Sequence, residues 1–420
     1  MDKIVVNGGH TLQGEAVVQG SKNALLPILA ATLLTDGEVV LNNCPCIKDA
    51  DNMLEILSIL GAHTERDCHS IYVNAKNVIS HVMPDKQSGE MRSSIFMMGS
   101  ILSRFSRASC VYPGGCAIGN RPIDLHLKGL RALGVQVNEN DGRIYCDAEN
   151  AHAADIHLDF PSVGATENLM MAAAGIRGVT TINNAAREPE ITDLQNFMRE
   201  LGIMVYGAGT SVITVEGTRI PKNTCVEYEI MPDRIVAGTL MCAAAITRSE
   251  ITLKNARPSD MTAVVSKMRE MGCIVDANCD TIHVDAKRAL KAVQNTETLP
   301  HPGFPTDMQA PLFAVCATLD GTSVIKENLY ENRFRHAGEL VKMGAQVTLH
   351  DRTAIITGGK LHGATVCAGD LRGGAALVLA ALAADGKTEI ENVDMCVDRG
   401  YEEPERILCE LGADALRIHA

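Results

Sequence analysis

The sequence has no excess of positive charge. Its 38 lysine and arginine residues are outnumbered by 51 aspartate and glutamate residues, which gives a formal net charge of −13 at pH 7. Proteins that bind nucleic acid draw their affinity from a basic face that contacts phosphates. The charge therefore argues against a nucleic-acid partner, although an acidic total leaves room for a basic pocket.

Long hydrophobic runs and paired cysteine motifs are also missing. The most apolar stretches are residues 24–34 and 375–384, and both are shorter than the about 20 residues that a membrane span requires. The first residues lack the apolar core of a signal peptide. Fourteen cysteines are scattered from Cys44 to Cys409 without a CxxC pair. We therefore expect a soluble cytoplasmic protein with reduced thiols, no zinc site and no membrane partner.

The sequence does contain an internal repeat. A leucine or methionine followed by glycine ends an amphipathic segment six times, at Gly61, Gly134, Gly202, Gly272, Gly344 and Gly412. By subtraction, successive glycines are 73, 68, 70, 72 and 68 residues apart. A glycine at the end of a segment with helical periodicity is typical of a helix C-cap. The regular spacing predicts six copies of one structural unit.

Each copy is predicted to be a β-α-β-α unit with one extra strand, so the fold class is α/β (α+β). The first helices are predicted at residues 24–34, 93–103, 165–174, 235–247, 309–319 and 374–384. Strands are predicted after them at residues 38–41, 109–112, 180–183, 250–253, 322–325 and 388–390. The 420 residues are too many for one ordinary core, which favours two domains of three units each with a cut near residue 230. The pattern alone does not place the first strand, residues 4–6.

A loop rich in glycine carries one of the thiols. Residues 113–126 contain three glycines and two prolines, which excludes an ordinary helix or strand. The glycines leave Cys116 accessible, and the nearby Arg121 favours its thiolate, which is the reactive form. Most free cysteines are inert core residues. Within this loop we favour a reactive thiol.

Unusual residues collect where the first helices begin. They are Lys22-Asn23, Met91-Arg92, Val163-Gly164, Pro232-Asp233-Arg234, Thr306-Asp307 and Leu371-Arg372. A helix N-terminus presents unpaired N–H groups and attracts anions. Asp233 and Asp307 have the alternative of being simple N-caps. Lys22, Arg92 and Arg372 oppose the helix dipole unless an anion lies beside them, so these positions predict an anion-binding cleft.

Nine short motifs then closely resemble the family of UDP-N-acetylglucosamine 1-carboxyvinyltransferases, which are enolpyruvyl transferases. They are Gly20-Ser21-Lys22-Asn23, Met91-Arg92-Ser93-Ser94, residues 113–126, residues 162–166, residues 186–191, residues 232–235, residues 304–309, Glu331-Asn332-Arg333-Phe334 and Asp398-Arg399-Gly400-Tyr401. The resemblance runs along the whole chain. It implies a two-domain inside-out α/β barrel that closes on phosphoenolpyruvate and UDP-N-acetylglucosamine. It also implies that the first strand joins the second domain, giving domains of 21–230 and of 1–20 with 231–420.

The resemblance assigns candidate roles to individual residues. The phosphoenolpyruvate site is implied at Lys22, Asn23, Arg121 and Arg399; the nucleotide site at Arg92, Arg121, Pro122, Ile123, Asp124, Leu125 and Leu329; and the diphosphate site at Ser162, Val163 and Gly164. Arg333, in one of the motifs, and Arg372, at a helix start, complete the candidate substrate-binding set. Phe160 and Pro161 stand where some relatives have Lys-Val, which puts a direct side-chain contact to the diphosphate in doubt.

The mechanism that we infer needs one base and one acid. Asp307 matches the residue at the sugar 3-hydroxyl and is the expected base, and Cys116 is the expected proton donor to the methylene carbon. Lys22 and Arg399 complete the expected catalytic set. The mechanism requires no metal or organic cofactor, and we expect no obligate protein partner. The resemblance also implies alkylation of Cys116 by fosfomycin.

Three other functions remain possible from the sequence. 5-Enolpyruvylshikimate-3-phosphate synthase shares the expected architecture and chemistry, but Cys116 and residues 121–126 favour a nucleotide sugar. A cysteine hydrolase is weaker, because no histidine is evident as its base. A catalytically silent paralogue that binds the nucleotide sugar is the third.

Overall fold

The computed structural model describes residues 2–114, 118–119, 123–218 and 220–419. These residues form two compact units. Unit I contains residues 20–114 and 123–231 of the described chain, and unit II contains residues 2–19, 118–119 and 232–419. Each unit has its own core of buried apolar side chains.

The helices of unit I are α1 (Lys22–Ala31), α2 (Lys48–Leu60), α3 (Asp85–Glu90), α4 (Phe96–Phe105), α5 (Asp124–Ala132), α6 (Val163–Ala174) and α7 (Pro189–Glu200). Those of unit II are α8 (Arg234–Ile246), α9 (Thr262–Met271), α10 (Gln309–Cys316), α11 (His336–Lys342), α12 (Leu371–Ala383), α13 (Val393–Cys396) and α14 (Pro404–Glu410). Short 3-10 segments span Thr32–Leu34, Arg92–Ile95, Pro258–Met261, Thr306–Met308 and Val397–Arg399. No helix of the described residues is long and apolar enough to cross a membrane.

The strands are short, with two to six residues each. The first twelve are β1 (Lys3–Asn7), β2 (Gln13–Val17), β3 (Glu38–Asn42), β4 (His63–Asp67), β5 (Ser70–Asn74), β6 (Arg107–Val111), β7 (Gln136–Asn140), β8 (Arg143–Asp147), β9 (Asp155–His157), β10 (Gly178–Asn183), β11 (Met204–Tyr206) and β12 (Val212–Gly217). The others are β13 (Cys225–Glu229), β14 (Glu250–Lys254), β15 (Ile274–Ala277), β16 (Thr281–Asp285), β17 (Thr296–Glu297), β18 (Thr322–Lys326), β19 (Gln346–His350), β20 (Thr353–Thr357), β21 (Thr365–Cys367), β22 (Lys387–Glu391) and β23 (Asp414–Ile418).

Six small sheets follow from the six repeats. In unit I the strand orders are β13-β3-β5-β4, β6-β8-β7 and β11-β12-β10-β9. In unit II they are β15-β16-β14-β2, β17-β18-β20-β19 and β21-β22-β1-β23. The sheets bury apolar side chains on one face; in β3, for example, Val39 and Leu41 are buried while Glu38 is exposed. This period-two pattern places the helices on the inner face of each sheet.

Two strands pair outside their own stretch of sequence. β2 precedes α1 but pairs in parallel with β14 of unit II, where Gly14 faces Ile251. β13 precedes α8 but pairs in parallel with β3 of unit I, where Val226 faces Val39. The chain therefore passes between the units after residue 19 and again after residue 231, and residues 118–119 of the predicted first domain also group with unit II. The first strand, β1, lies between β22 and β23 and so completes the sixth repeat in unit II.

The first helix of each repeat is buried almost completely. In α8 every residue from Ile235 to Ile246 is buried, and α6 and α12 are similar. Small residues let such helices approach closely. Gly99 of α4 is one case: its N–H donates to Oδ1 of Asn168 in α6 at 2.8 Å, and a Cβ would lie 2.2 Å from the Asn168 carbonyl oxygen.

The six repeat glycines all have a left-handed backbone. Their φ angles are 109° at Gly61, 78° at Gly134, 86° at Gly202, 109° at Gly272, 94° at Gly344 and 105° at Gly412. Each follows the second helix of its repeat, which confirms the prediction of helix C-cap glycines.

Candidate active site

Asp307 lies at the centre of a charged cluster in unit II. It belongs to the 3-10 segment that precedes α10, and its side chain is 29% exposed. Its carboxylate accepts hydrogen bonds from Nη2 of Arg333 at 2.6 Å and Nη2 of Arg372 at 3.2 Å. Asp233 behaves differently, because its carboxylate caps α8 by accepting from the N–H groups of Ile235 and Val236. The N-cap interpretation is therefore correct for Asp233 and wrong for Asp307.

The electrostatics of the cluster keep Asp307 ionised. Burial would raise the pKa of this carboxyl, but the guanidinium groups of Arg372 and Arg333 outweigh that effect and hold it well below its usual range. The same ion pair raises the pKa of Arg372 although burial acts in the opposite direction. Asp307 thus faces two guanidinium cations, while Arg234 and Asp233 add one charge of each sign nearby.

The two arginines also have hydrogen-bond donors to spare. Each residue is only 3% exposed, yet Nε of Arg333 and both Nε and Nη1 of Arg372 have no hydrogen-bond partner among the described residues. Buried polar groups are normally paired, so unpaired buried donors call for a ligand acceptor. Planar guanidinium groups suit the oxygen pairs of carboxylates and phosphates. The cluster can therefore bind a small anion.

Two further polar residues of the cluster were not found from the sequence. Gln309 is fully buried at the start of α10, and neither end of its amide has a partner in the described structure. His336, at the start of α11, is 4% exposed, and burial lowers its pKa to about 4, so the ring is neutral at pH 7. For Gln309 the available signal was a lone polar residue opening an apolar helix; α11 also contains Glu339 and Lys342, so His336 had no such signal.

Arg399 and Leu329 lie elsewhere in unit II. Arg399 ends the 3-10 segment Val397–Arg399 and is partly buried. Leu329 follows β18 and is also partly buried, with its N–H donating to Oε1 of Glu327 at 2.8 Å. Glu327 itself is fully buried and also accepts from the N–H of Tyr330. This buried carboxylate fixes the loop that presents Leu329.

In unit I, Lys22 begins α1 next to an acidic partner. Its Nζ lies 2.6 Å from Oδ2 of Asp49, and the two side chains are only 9% and 3% exposed. Asp49 lies in the first turn of α2 and explains how a lysine is tolerated at a helix start. The sequence analysis missed Asp49 because the two residues meet only in the folded chain. Asn23, the next residue, is partly exposed.

The start of α6, in unit I, is a second candidate site for an anion. Ser162 caps the helix, with Oγ accepting from the N–H of Ala165 at 3.3 Å. Helix geometry leaves the N–H groups of Val163 and Gly164 without an intrahelical acceptor. A Cβ at Gly164 would lie 3.4 Å from the His126 ring, so the histidine packs closely on this turn. Its Nδ1 lies 3.2 Å from Nδ2 of Asn168, which orients the ring.

Other predicted nucleotide residues lie nearby in sequence and fold. Ile123 is buried at the N-cap of α5, Asp124 is the first residue of that helix, and Leu125 is partly buried. Arg92 opens the 3-10 segment before α4. Phe160 is 46% exposed, and its carbonyl oxygen accepts from the N–H of Ser162 at 2.7 Å.

Comparison with known proteins identifies relatives along the whole chain. A family model described as EPSP synthase (3-phosphoshikimate 1-carboxyvinyltransferase) matches residues 6–408. The chain is 48% identical over 419 residues to UDP-N-acetylglucosamine 1-carboxyvinyltransferase 2 of Caldanaerobacter subterraneus subsp. tengcongensis, with 100% of both chains covered. It is 45% identical over 424 residues to UDP-N-acetylglucosamine 1-carboxyvinyltransferase 1 of Staphylococcus aureus (strain N315), again with 100% of both covered.

The chain belongs to the family of UDP-N-acetylglucosamine 1-carboxyvinyltransferases. The family membership inferred from the nine motifs is thus confirmed. Among solved structures, the enolpyruvyl transferase NikO from Streptomyces tendae is similar, with a TM-score of 0.88 at 24% identity over 100% of this chain and 99% of that one. EPSP synthase from Acinetobacter baumannii gives a TM-score of 0.77 at 18% identity over 100% of both chains. These likenesses confirm the predicted fold class.

Three of the predicted site residues, Cys116, Arg121 and Pro122, lie outside the described residues. Their family roles stay predictions. The 13 described cysteines are free thiols, and several are buried. Burial raises the pKa of Cys316 to about 11 and raises that of Cys242 as well. These two thiols are therefore inert core residues, as expected from their apolar sequence neighbours.

Proposed function

We propose that this protein transfers the enolpyruvyl group of phosphoenolpyruvate to the 3-hydroxyl of UDP-N-acetylglucosamine and releases phosphate, which is the first committed step of peptidoglycan synthesis. Full-length relatives at 45–48% identity carry the corresponding name. The observation that carries the proposal is the Asp307–Arg333–Arg372 cluster, because it joins an ionised carboxylate to unpaired guanidinium donors.

The two substrates call for different binding groups. Phosphoenolpyruvate carries a carboxylate and a phosphate. We assign Lys22, Asn23 and Arg121 to these groups, together with three arginines of unit II: Arg333, Arg372 and Arg399. We assign the backbone N–H groups at the start of α6, Ser162 to Gly164, to the diphosphate. Arg92, the segment 121–125 and Leu329 are assigned to the nucleotide.

The chemistry consists of addition followed by elimination. The sugar 3-hydroxyl oxygen bonds to C2 of phosphoenolpyruvate, its proton passes to Asp307, and Cys116 donates a proton to C3, which becomes a methyl group. The tetrahedral intermediate then loses phosphate from C2, and a proton of the methyl group returns to the Cys116 thiolate, which restores the double bond. General acid and base groups on the two reacting centres each contribute about 10²–10⁴ in rate.

The ion pairs of Asp307 with Arg333 and Arg372 affect its ability to act as the base. A carboxylate whose pKa is held low by Arg372 and Arg333 is a weak proton acceptor. A substrate anion that binds the same guanidinium groups reduces their pull on Asp307, so the carboxylate becomes more basic when phosphoenolpyruvate is bound. We infer that substrate binding itself activates the base.

We place the protein in the cytoplasm, where its 13 described cysteines would remain the free thiols that the structure contains. The proposed mechanism uses no metal or organic cofactor and no nucleic-acid, membrane or obligate protein partner. All of its steps are carried by side chains and backbone groups of this chain.

Phosphate release tests the proposal directly. The protein is mixed with phosphoenolpyruvate and either UDP-N-acetylglucosamine or shikimate 3-phosphate. We expect phosphate release with the nucleotide sugar only. Release with shikimate 3-phosphate alone would instead identify a 5-enolpyruvylshikimate-3-phosphate synthase. Binding of the nucleotide sugar without any release would identify a silent paralogue.

A further inference from the structure

Arg417 occupies a partly buried position of the last strand. Along β23, Leu416 and Ile418 are exposed on one face, whereas Ala415 and Arg417 are partly buried on the other, toward α14. Apolar residues normally fill such positions, because a charged group loses its hydration there unless it is paired. The Arg417 side chain is only 14% exposed. Its burial therefore calls for specific acidic partners.

All three nitrogen atoms of the Arg417 guanidinium donate hydrogen bonds to two carboxylates. Nη1 and Nη2 donate to the two carboxylate oxygens of Asp398, each at 2.8 Å. Nε and Nη2 donate to the two oxygens of Glu405 at 2.7 and 3.1 Å. The bonds to Asp398 and Glu405 raise the pKa of Arg417, so the group stays cationic. Paired hydrogen bonds of this kind fix the orientation of a carboxylate as well as its distance.

Asp398 connects this ion pair to Arg399, which we assign to phosphoenolpyruvate. The two residues are neighbours in the 3-10 segment Val397–Arg399. Arg417 belongs to β23, the edge strand of the sheet β21-β22-β1-β23. The segment that carries Arg399 is thus fixed to this sheet through the side chain of Asp398.

The residues that follow Arg399 are held as well. The Gly400 carbonyl oxygen accepts from the side-chain amide of Gln19 at 3.2 Å. Tyr401 is buried, and the guanidinium of Arg372 lies 5.3 Å from the centre of its ring, a cation–π distance. Arg399 therefore lies between fixed neighbours on both sides, and the loss of either support should displace it.

The charges around Arg417 add a second effect. Asp398, Glu405 and Asp2 all face its guanidinium, with Oδ2 of Asp2 3.7 Å from Nη1. Without Arg417, these carboxylates lose the cation that they share. Asp398 would then attract the guanidinium of its neighbour Arg399. Arg417 therefore fixes the segment and also keeps the Asp398 carboxylate from competing with a substrate anion for Arg399.

We propose that Arg417 is a positioning residue: through Asp398 it holds Arg399 in the orientation that binds phosphoenolpyruvate, without touching the substrate itself. This inference rests on the proposed function, because it takes phosphoenolpyruvate as the ligand of Arg399. The part of it that concerns how the segment 397–399 is held does not depend on that function.

Steady-state kinetics on the full chain test the inference. Arg417→Gln removes the charge and the paired hydrogen bonds, so the KM for phosphoenolpyruvate should rise about tenfold, while the KM for UDP-N-acetylglucosamine should change by less than about twofold. Arg406→Gln is the matched control and should change neither value, because Arg406 is 62% exposed on α14 and pairs with Glu403 and Glu410. An unchanged KM for phosphoenolpyruvate, or an equal rise in both KM values, overturns the inference.

A double-mutant cycle tests whether Arg417 acts through Arg399. Calorimetric titration with phosphoenolpyruvate gives Kd for Arg417→Gln, for Arg399→Gln and for the double variant. Arg417→Gln should raise Kd about tenfold in the parent protein and by less than about twofold when Arg399 is already replaced. An equal rise in both backgrounds overturns the inference.

Arg417→Lys covers the case in which Arg417→Gln does not fold. Lysine keeps a positive charge among the carboxylates but cannot form the paired hydrogen bonds to Asp398, so the KM for phosphoenolpyruvate should still rise at least about threefold. An unchanged KM in folded Arg417→Lys overturns the inference as well.

Thiol labelling tests how the segment is held without relying on the proposed function. Cys396, two residues before Asp398, is 8% exposed, and it should react faster with iodoacetamide in Arg417→Gln, as located by peptide mass spectrometry. Cys242, which is buried in α8, should react no faster, since the rest of the core is unchanged. Equal rates at Cys396 in variant and parent overturn the inference. Absence of phosphate release by the parent protein would instead refute the proposed function, and the labelling would still report whether Arg417 holds the segment.

Discussion

Replacing Asp307 by asparagine should separate substrate binding from turnover. The asparagine side chain keeps the size of aspartate but carries no charge and takes no proton. It has one carbonyl oxygen in place of the two carboxylate oxygens that accept from Arg333 and Arg372, so it keeps only one of these hydrogen bonds. Because Asp307 is assigned as the base, we expect kcat to fall by a factor of about 10²–10⁴. The folded protein should also lose stability, since the carboxylate balances two arginines that are each only 3% exposed.

The same change should tighten the binding of phosphoenolpyruvate. Asp307 occupies one Nη2 of Arg333 and one of Arg372, at 2.6 and 3.2 Å, and repels any anion that shares these groups. Two unit charges about 5 Å apart interact by about 3 kcal/mol at an effective dielectric constant of about 20. Since about 1.4 kcal/mol corresponds to a tenfold change, we expect Kd for phosphoenolpyruvate to fall at least tenfold.

Calorimetric titration with phosphoenolpyruvate measures the affinity, and phosphate release measures kcat. Asp351→Asn is the matched control, because Asp351 is exposed in the turn between β19 and β20 with a φ of 48° that asparagine tolerates. It should change neither quantity. A Kd that stays the same or rises in Asp307→Asn would refute the competition between carboxylate and substrate. A near-normal kcat would leave Asp307 as a structural residue.

Local features of this fold could be predicted from the sequence because local chemistry determines them. The repeat glycines end helices whatever the rest of the chain does, since a left-handed residue without a Cβ is favoured there. The buried first helices were also found, but most of their ends were not; the end of α6 at Ala174 and the start of α10 at Gln309 are exceptions. α12 begins at Leu371, three residues before its predicted start at 374, because Asp370 caps it by accepting from the N–H of Arg372 and Gly373.

Features that depend on distant parts of the chain could not be predicted by pattern. The place of β1 between β22 and β23 requires a pairing of residues at least 380 positions apart by subtraction, as for Asn7 with Lys387. The parallel pairings of β2 with β14 and of β13 with β3 could not be predicted either, because the sequence of a strand does not specify which strand it pairs with.

The candidate site divides in the same way. Arg372 and Lys22 could be selected because a cation at a helix start conflicts with the helix dipole, and that conflict is visible in the sequence. Their partners, Asp307 and Asp49, come from elsewhere in the chain. Only the resemblance gave Asp307 a role, and neither the pattern nor the resemblance indicated Asp49.

Three further predictions concern single residues. Gly119→Ala should lower the free energy of unfolding by about 1–3 kcal/mol, because φ is 138°, a backbone conformation that residues with a Cβ rarely adopt; an unchanged Tm would contradict this. Limiting iodoacetamide or fosfomycin should label Cys116 first, as located by peptide mass spectrometry, and enzyme activity should fall in parallel with that labelling. If the label is spread evenly over several thiols while activity is retained, the loop thiol is not reactive. Glu167 is fully buried without a hydrogen-bond partner for either carboxyl oxygen among the described residues, and burial, reinforced by two neighbouring glutamates, raises its pKa well above the usual value. The folded state thus holds a proton that the unfolded state releases above about pH 4.3, so stability falls by about 1.4 kcal/mol per pH unit for as long as the folded carboxyl stays protonated. Glu167→Gln removes this loss, so in urea unfolding it should stabilise the protein more at pH 7 than at pH 5. The exposed control Glu200→Gln should not do so. If the difference in unfolding free energy between Glu167→Gln and the parent protein does not depend on pH, the buried carboxyl is ionised.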